Sequence, residues 1–236
     1  MTRTLLLSLA VLIAGCSQSD GATRTKASDA PAAATASANG TVAPAGLPQD
    51  PISQKADAGR IIGTDTTAKL WVIMASDFQC PFCKQWHDAS FAPVMDYAKK
   101  GKIRLAFINM PLSMHPNAMP AAEAAMCAAV QGKFWEMHDA LFASQEEWAP
   151  MPNPSAKFDA LAKTAGVNMA QWTDCVTKHS TAALITADRD RLRGAGVQST
   201  PTFFVNNKMV VNAEGTSAGA AADVRGAIEA ALKTGR

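Results

Sequence analysis

No run of lysine or arginine interrupts this sequence: 22 basic and 20 acidic residues are spread along 236 positions, for a formal net charge of +2. Without a basic patch there is no electrostatic footprint for nucleic acid, and no such partner is expected. The four histidines (His87, His115, His138, His179) lack ligand spacings such as H-E-x-x-H, and only one Cys-x-x-Cys occurs. The chain therefore offers no closed ligand set for tetrahedral zinc. Haem attachment needs His directly after the second cysteine, and Lys84 stands there instead. No metal or cofactor is expected, and no internal repeat is visible. What the chain does have is a 48% hydrophobic composition, enough to bury a single sizeable core.

The N-terminus reads as a targeting segment. Arg3 supplies a positive charge, and Leu5 to Ala14 is an apolar run of about ten residues, too short to cross a bilayer. Residues 1–15 are expected to be a signal peptide. Ile13-Ala14-Gly15-Cys16 resembles the lipobox of bacterial lipoproteins, which implies acylation of Cys16; a plain secretory signal with an incidental cysteine is the other reading. The lipobox reading places the protein in the cell envelope, facing the periplasm and lipid-anchored to a membrane. Residues 16–49 are rich in Ala, Ser, Thr and Pro with few large apolar side chains, so they cannot offset the entropy of ordering. Such a tether of roughly thirty residues has a root-mean-square reach of about 30 Å.

Residues 50–236 form the expected domain. Leu70 to Ala75 is a short apolar run of strand length, and Ile103 to Ile108 is a second. Between them Pro81 suits a first helical position, and Phe82 to Lys100 carries apolar residues at helical spacing. A strand-helix-strand unit favours a parallel pair with a right-handed crossover. Helices fill the Ala-rich region 117–193, broken at Gly132, at Pro150 to Pro154 and at Gly166. Pro201 to Val205 and Met209 to Val211 read as a hairpin, because Asn206-Asn207 tolerates the positive φ of a tight turn. A closing helix is expected over Ala218 to Lys233.

With Cys16 assigned to lipid, four of the five cysteines remain: the close pair Cys80 and Cys83, and the distant Cys127 and Cys175. Cys80 falls where a strand gives way to a helix, so unpaired amides and the helix dipole would stabilise its thiolate. Cys83, one turn on, would be more buried and would resolve a mixed disulfide. A loop this short constrains an unfolded chain only modestly, which makes a purely structural bridge a poor explanation. Cys127 and Cys175 both sit in helical patterns and are expected to be bridged; two buried free thiols are the alternative.

Ser76-Asp77-Phe78-Gln79-Cys80-Pro81-Phe82-Cys83-Lys84, then Pro111-Leu112 with His115-Pro116-Asn117-Ala118, then Gln131-Gly132-Lys133-Phe134-Trp135 resemble the DsbA-like branch of the thioredoxin superfamily. The likeness runs from about Ile61 to the C-terminus. It implies an α/β thioredoxin fold with a helical insertion between its β-α-β and β-β-α halves. It also implies a cis peptide at Thr200-Pro201, which the residues alone would leave trans. Substrate contacts are then expected from Thr200, Pro201, Pro81 and Phe82. Relatives often carry an acidic residue six positions before the first redox cysteine; Met74 stands there, so proton transfer to Cys83 is expected to pass through water or Lys84.

The expected function is thiol-disulfide exchange with exported, cysteine-containing proteins, regenerated by a membrane redox partner. Two other classes fit the same residues. One is a non-catalytic peptide-binding module; the other is a Cu(I) or metal-assembly lipoprotein using Cys80 and Cys83, although no nearby ligand is assignable. The anchoring expectation has a direct check: Cys16→Ser should abolish acylation and release or mis-sort the protein. Recovery of the wild type as a soluble, unacylated species would remove the anchor.

Overall fold

The computed structural model describes residues 47–64, 67–211 and 224–234. The signal peptide, Cys16, most of the tether and the start of the expected closing helix lie outside the described residues.

The first element is a helix that the apolar pattern did not announce. In α1 (Pro51–Gly59) the Asp50 carboxylate accepts from the amides of Ile52 and Ser53, and Pro51 occupies the first turn. The two-residue strand β1 (Ile61–Ile62) follows, too short to show a period. Gly59 lets α1 close on its neighbour, since a Cβ there would stand 2.3 Å from the Ala129 carbonyl oxygen.

The apolar runs become β2 (Trp71–Ser76) and β3 (Arg104–Asn109), each one residue downstream of its expected bounds. They pair in parallel, Val72 opposite Leu105 and Met74 opposite Phe107. Between them run α2 (Pro81–Trp86), a π-helical segment (His87–Phe91) and α3 (Ala92–Lys99), continuous in the chain. Pro93 explains the widening: it has no N–H to donate to the carbonyl four residues back, and its ring crowds that carbonyl.

Helices α4 (Ala118–Ala129), α5 (Phe134–Ala143), α6 (Gln145–Trp148), α7 (Ser155–Ala165), α8 (Met169–Thr177) and α9 (Ala182–Gly194) occupy the expected insertion. Gly132 and Gly166, both at positive φ, break the run where expected. The chain then re-enters the sheet as β4 (Thr202–Val205) and β5 (Lys208–Met209) and ends in α10 (Val224–Thr234). Asn206 and Asn207 have φ of 46° and 64°, which gives the hairpin its turn.

Among the described residues the sheet has the order β1-β3-β2-β4-β5, with β1, β4 and β5 antiparallel to their neighbours. β2 is buried on both faces, which is why it reads as an unbroken apolar run. Val72 and Met74 join the larger core with Leu105, Phe107 and the inserted helices. Ile73 and Ala75 join a smaller core with Ile108, Leu192 and Phe204. A charged network joins the end of α1 to α9 and β3: the buried Arg60 guanidinium is paired with Asp188 and Asp57, Asp188 also takes Arg191 at 2.7 Å, and the Asn109 side-chain amide at 3.2 Å. Removing one partner of such a group leaves a desolvated charge, so the network is constrained as a whole.

Cys127 of α4 and Cys175 of α8 are joined, their Cα atoms 5.8 Å apart. One turn away, Nδ1 of His179, just past the end of α8, meets Glu123 Oε2 of α4 at 2.7 Å. The bridge closes 48 residues, for which the chain-entropy model gives about 4 kcal/mol. A double Cys127→Ala, Cys175→Ala variant should therefore unfold at lower denaturant by up to about 4 kcal/mol. Unchanged stability would mean that the bridge does not hold the inserted helices.

Candidate functional site

β2 ends at Ser76, and a tight turn, closed by the Cys80 amide on the Asp77 carbonyl at 3.1 Å, leads into α2. Cys80 is the N-cap residue, extended at φ −70° and ψ 123°, with Pro81 in the first turn. Cys83 lies within that first turn, its amide and that of Lys84 donating to the Cys80 carbonyl. β4 is antiparallel to β2, so the residues entering β4 arrive beside the turn. The Thr200-Pro201 peptide is cis, and the Cys80 thiol donates to the Thr200 carbonyl at 3.5 Å.

The two thiols differ sharply in acidity. A hydrogen bond from Cys83, with help from Thr200 and from the amides of Cys83 and Phe82, holds Cys80 down at about 6 against the opposing effect of burial. Burial pushes Cys83 well above 9.0, and its bond and charge coupling to Cys80 push the same way; the Asp77 amide and the Ser76 hydroxyl only partly offset this. Exposure does not make the distinction, because Cys80 is 3% and Cys83 1% exposed. The expected difference in burial is thus slight: the sequence marks a helix N-terminus, not the residues that cover it.

The turn before Cys80 is gripped from three directions. Asp77, buried, accepts from the Gln79 amide at 2.8 Å, the Leu112 amide at 2.9 Å and His115 Nδ1 at 2.7 Å. Burial raises its pKa, and those bonds oppose the rise. Gln145 of α6 donates through Nε2 to the carbonyls of Phe78 at 2.6 Å and Cys80 at 3.0 Å. The Gln79 side chain accepts from the Asn117 amide at 2.6 Å and donates to the Ala149 carbonyl at 3.0 Å. Asn117 in turn donates to the Ala149 and Met151 carbonyls. Sequence reading missed Gln145 and gave no role to Gln79 and Asn117, which it held only as members of the resemblance motifs.

Met74 is buried in the larger core. Lys84 bonds Asp88 at 2.7 Å. Phe82, the central residue with Pro81, is 68% exposed, and Met114 and Met151 on the loops tied to the turn are 76% and 37% exposed.

A family model described as Thioredoxin matches residues 55–229. The chain belongs to the thioredoxin family. Within it the chain is DsbA-like: it is similar to Disulfide bond formation protein D of Bacillus subtilis, 25% identical over 64% of this chain and 69% of that protein. The crystal structure of oxidised BdbD from Bacillus subtilis superposes with a TM-score of 0.63 at 25% identity, covering 75% of this chain and 94% of that chain. The Na(+)/H(+) antiporter NhaA 3 of Salinispora tropica is 36% identical over 142 residues, 60% of this chain and 21% of the antiporter. The chain thus spans about a fifth of the length of such antiporters.

The acidity difference gives a measurable titration. Alkylation of Cys80 in the reduced protein should follow a midpoint near 6, against ~8.5 for a free cysteine, while Cys83 stays unreactive. The sign for stability follows: the lowered value favours the reduced fold fully above about 9, and this contribution fades as pH falls through about 6. Absorbance at 240 nm against pH reads the thiolate, with Cys80→Ser as the blank. Equal labelling of the two thiols would sink the assignment.

Proposed function

We propose that this chain is a thiol-disulfide oxidoreductase acting on exported proteins through Cys80-Pro81-Phe82-Cys83. The observation that carries the proposal is the asymmetry of the pair: a thiol held at about 6 at the head of a helix, against a partner that burial keeps protonated. At neutral pH Cys80 is the thiolate and the nucleophile. Attack on a substrate disulfide forms a Cys80 mixed disulfide and expels one substrate thiolate. Cys83 then attacks Cys80 Sγ, expelling the second substrate thiolate and leaving the Cys80–Cys83 bond. In the reverse direction a substrate dithiol becomes a disulfide and the pair is reduced, two electrons passing in either case.

Thr200 and Pro201 form one wall of the substrate cleft, where the backbone at Thr200 pairs with an extended peptide as an added strand. Phe82, Met114 and Met151 offer the apolar and polarisable contacts that suit varied unfolded segments. The joined Cys127 and Cys175 support an oxidising compartment. Among the described residues no helix is long and apolar enough to cross a membrane, so attachment rests on acylation of Cys16. A membrane redox partner restores the working state of the pair.

Cys83→Ser is the sharp test, because it keeps the nucleophile and removes the resolving attack. It should accumulate mixed disulfides with exported proteins through Cys80 and lose insulin reduction and the refolding of scrambled ribonuclease. Thr200→Val should change the potential or the release of substrate while leaving Cys80 alkylation in place. Absence of trapped species from Cys83→Ser, together with inactive wild type in both assays, would move the protein to the non-catalytic peptide-binding class.

A further inference from the structure

The π-helical segment that follows the active-site turn brings His87 against α5, where His138 and Asp139 are neighbours. His87 Nε2 lies 3.3 Å from Asp139 Oδ1, and His138 Nδ1 lies 2.8 Å from the same oxygen. The three ligand atoms fall within 4.8 Å of one another. We propose that His87 Nε2, His138 Nδ1 and Asp139 Oδ1 form a site for a divalent transition-metal ion of the zinc type, with water as the fourth ligand.

Donor set and spacing both suit such an ion. Two imidazole nitrogens and one carboxylate oxygen are ordinary zinc ligands, and bonds of about 2.0–2.1 Å place tetrahedral ligands about 3.4 Å apart. The two measured edges, 2.8 and 3.3 Å, are already near that value. Three ligands leave one position open, and that side faces solvent because Asp139 is largely exposed.

The tautomers are set from outside the cluster. His87 Nδ1 lies 3.2 Å from Asp88, itself held by Lys84 at 2.7 Å. An N–H donated to Asp88 leaves the Nε2 lone pair directed at Asp139, the carboxylate-histidine-metal arrangement. His138 is fully enclosed, and its Nε2 has no hydrogen-bond partner. Its ring stands edge-on to Phe107, Trp135 and Phe142. With the proton on Nε2, among those rings, Nδ1 would face Asp139 as a lone pair, and two acceptors so placed require a cation between them. A metal ion meets that requirement for both histidines at once.

No linear motif announces this site, since 52 residues separate His87 from Asp139. An ion here would tie the active-site helix to the inserted helices, one turn beyond Cys83.

Titration calorimetry of the full chain with zinc, both disulfides formed so that no thiolate competes, should give one ion per chain. The single variants Asp139→Asn, at an exposed position, and His87→Gln, at a half-buried one, should weaken binding at least about 100-fold, and Asp88→Ala about 10–100-fold. Cobalt in place of zinc should show tetrahedral visible bands without thiolate charge-transfer absorption. Circular dichroism melts confirm that the variants fold. Binding that appears only in the reduced protein, binding indifferent to both ligand variants, or no binding by oxidised wild type would overturn the proposal and leave a proton as the shared cation.

Discussion

Cys80 and Cys83 stand within one helical turn, and the proposed chemistry requires one sulfur to be an anion while the other is not. Burial alone would raise both, since a thiolate is disfavoured wherever water is removed. The difference arises because Cys80 faces donors, first the Cys83 thiol and then the amides of Phe82 and Cys83, while Cys83 receives less than its enclosure costs. The anion is thus solvated by fixed protein dipoles. Those dipoles keep their effect only while the turn that presents them is held still.

That constraint gives the inserted helices a purpose beyond covering the sheet. The turn from Asp77 to Cys80 is irregular backbone, partly buried, and its polar groups must be bonded or pay the cost of desolvation. Gln145 answers for the carbonyls of Phe78 and Cys80, and Gln79 and Asn117 join the turn to the 149–151 loop. Asp77 joins it to the loop after β3. Two long-range pieces of chain thereby fix the geometry of a four-residue turn. The Cys127–Cys175 bridge acts one level further out, limiting how far α4 and α8 can separate.

Much of this was legible in the sequence, for identifiable reasons. β2 and β3 announced themselves because both of their faces are buried, and the hairpin because Asn206 and Asn207 can both take positive φ. The Cys-Pro-Phe-Cys turn was readable because strand, proline and helix pattern are contiguous. β1 was not, having two residues and no period. Gln145 and His138 were not legible either: a polar residue in a helix carries no sign of what lies across the packed interface. The covering of Cys80 was not legible for the same reason, since its enclosure comes from residues more than sixty positions away.

Met74, standing where relatives often have an acidic residue, leaves Cys83 without a buried carboxylate beside it in β2. On the proposed mechanism Cys83 must nonetheless lose its proton as it attacks the mixed disulfide. Besides Cys80, the groups at its sulfur are the Asp77 amide and the Ser76 hydroxyl. An amide can only donate, so it stabilises a thiolate without accepting a proton; a hydroxyl can do both. The Asp77 carboxylate is spent on Gln79, Leu112 and His115 and acts on Cys83 only by fixing the backbone that carries the amide. The departing substrate thiolate, formed at Cys80 in the same event, is therefore the natural acceptor for the proton of Cys83. Resolution then becomes an exchange of proton and bond within the cleft, its rate governed by the acidity of the leaving thiol rather than by a resident base.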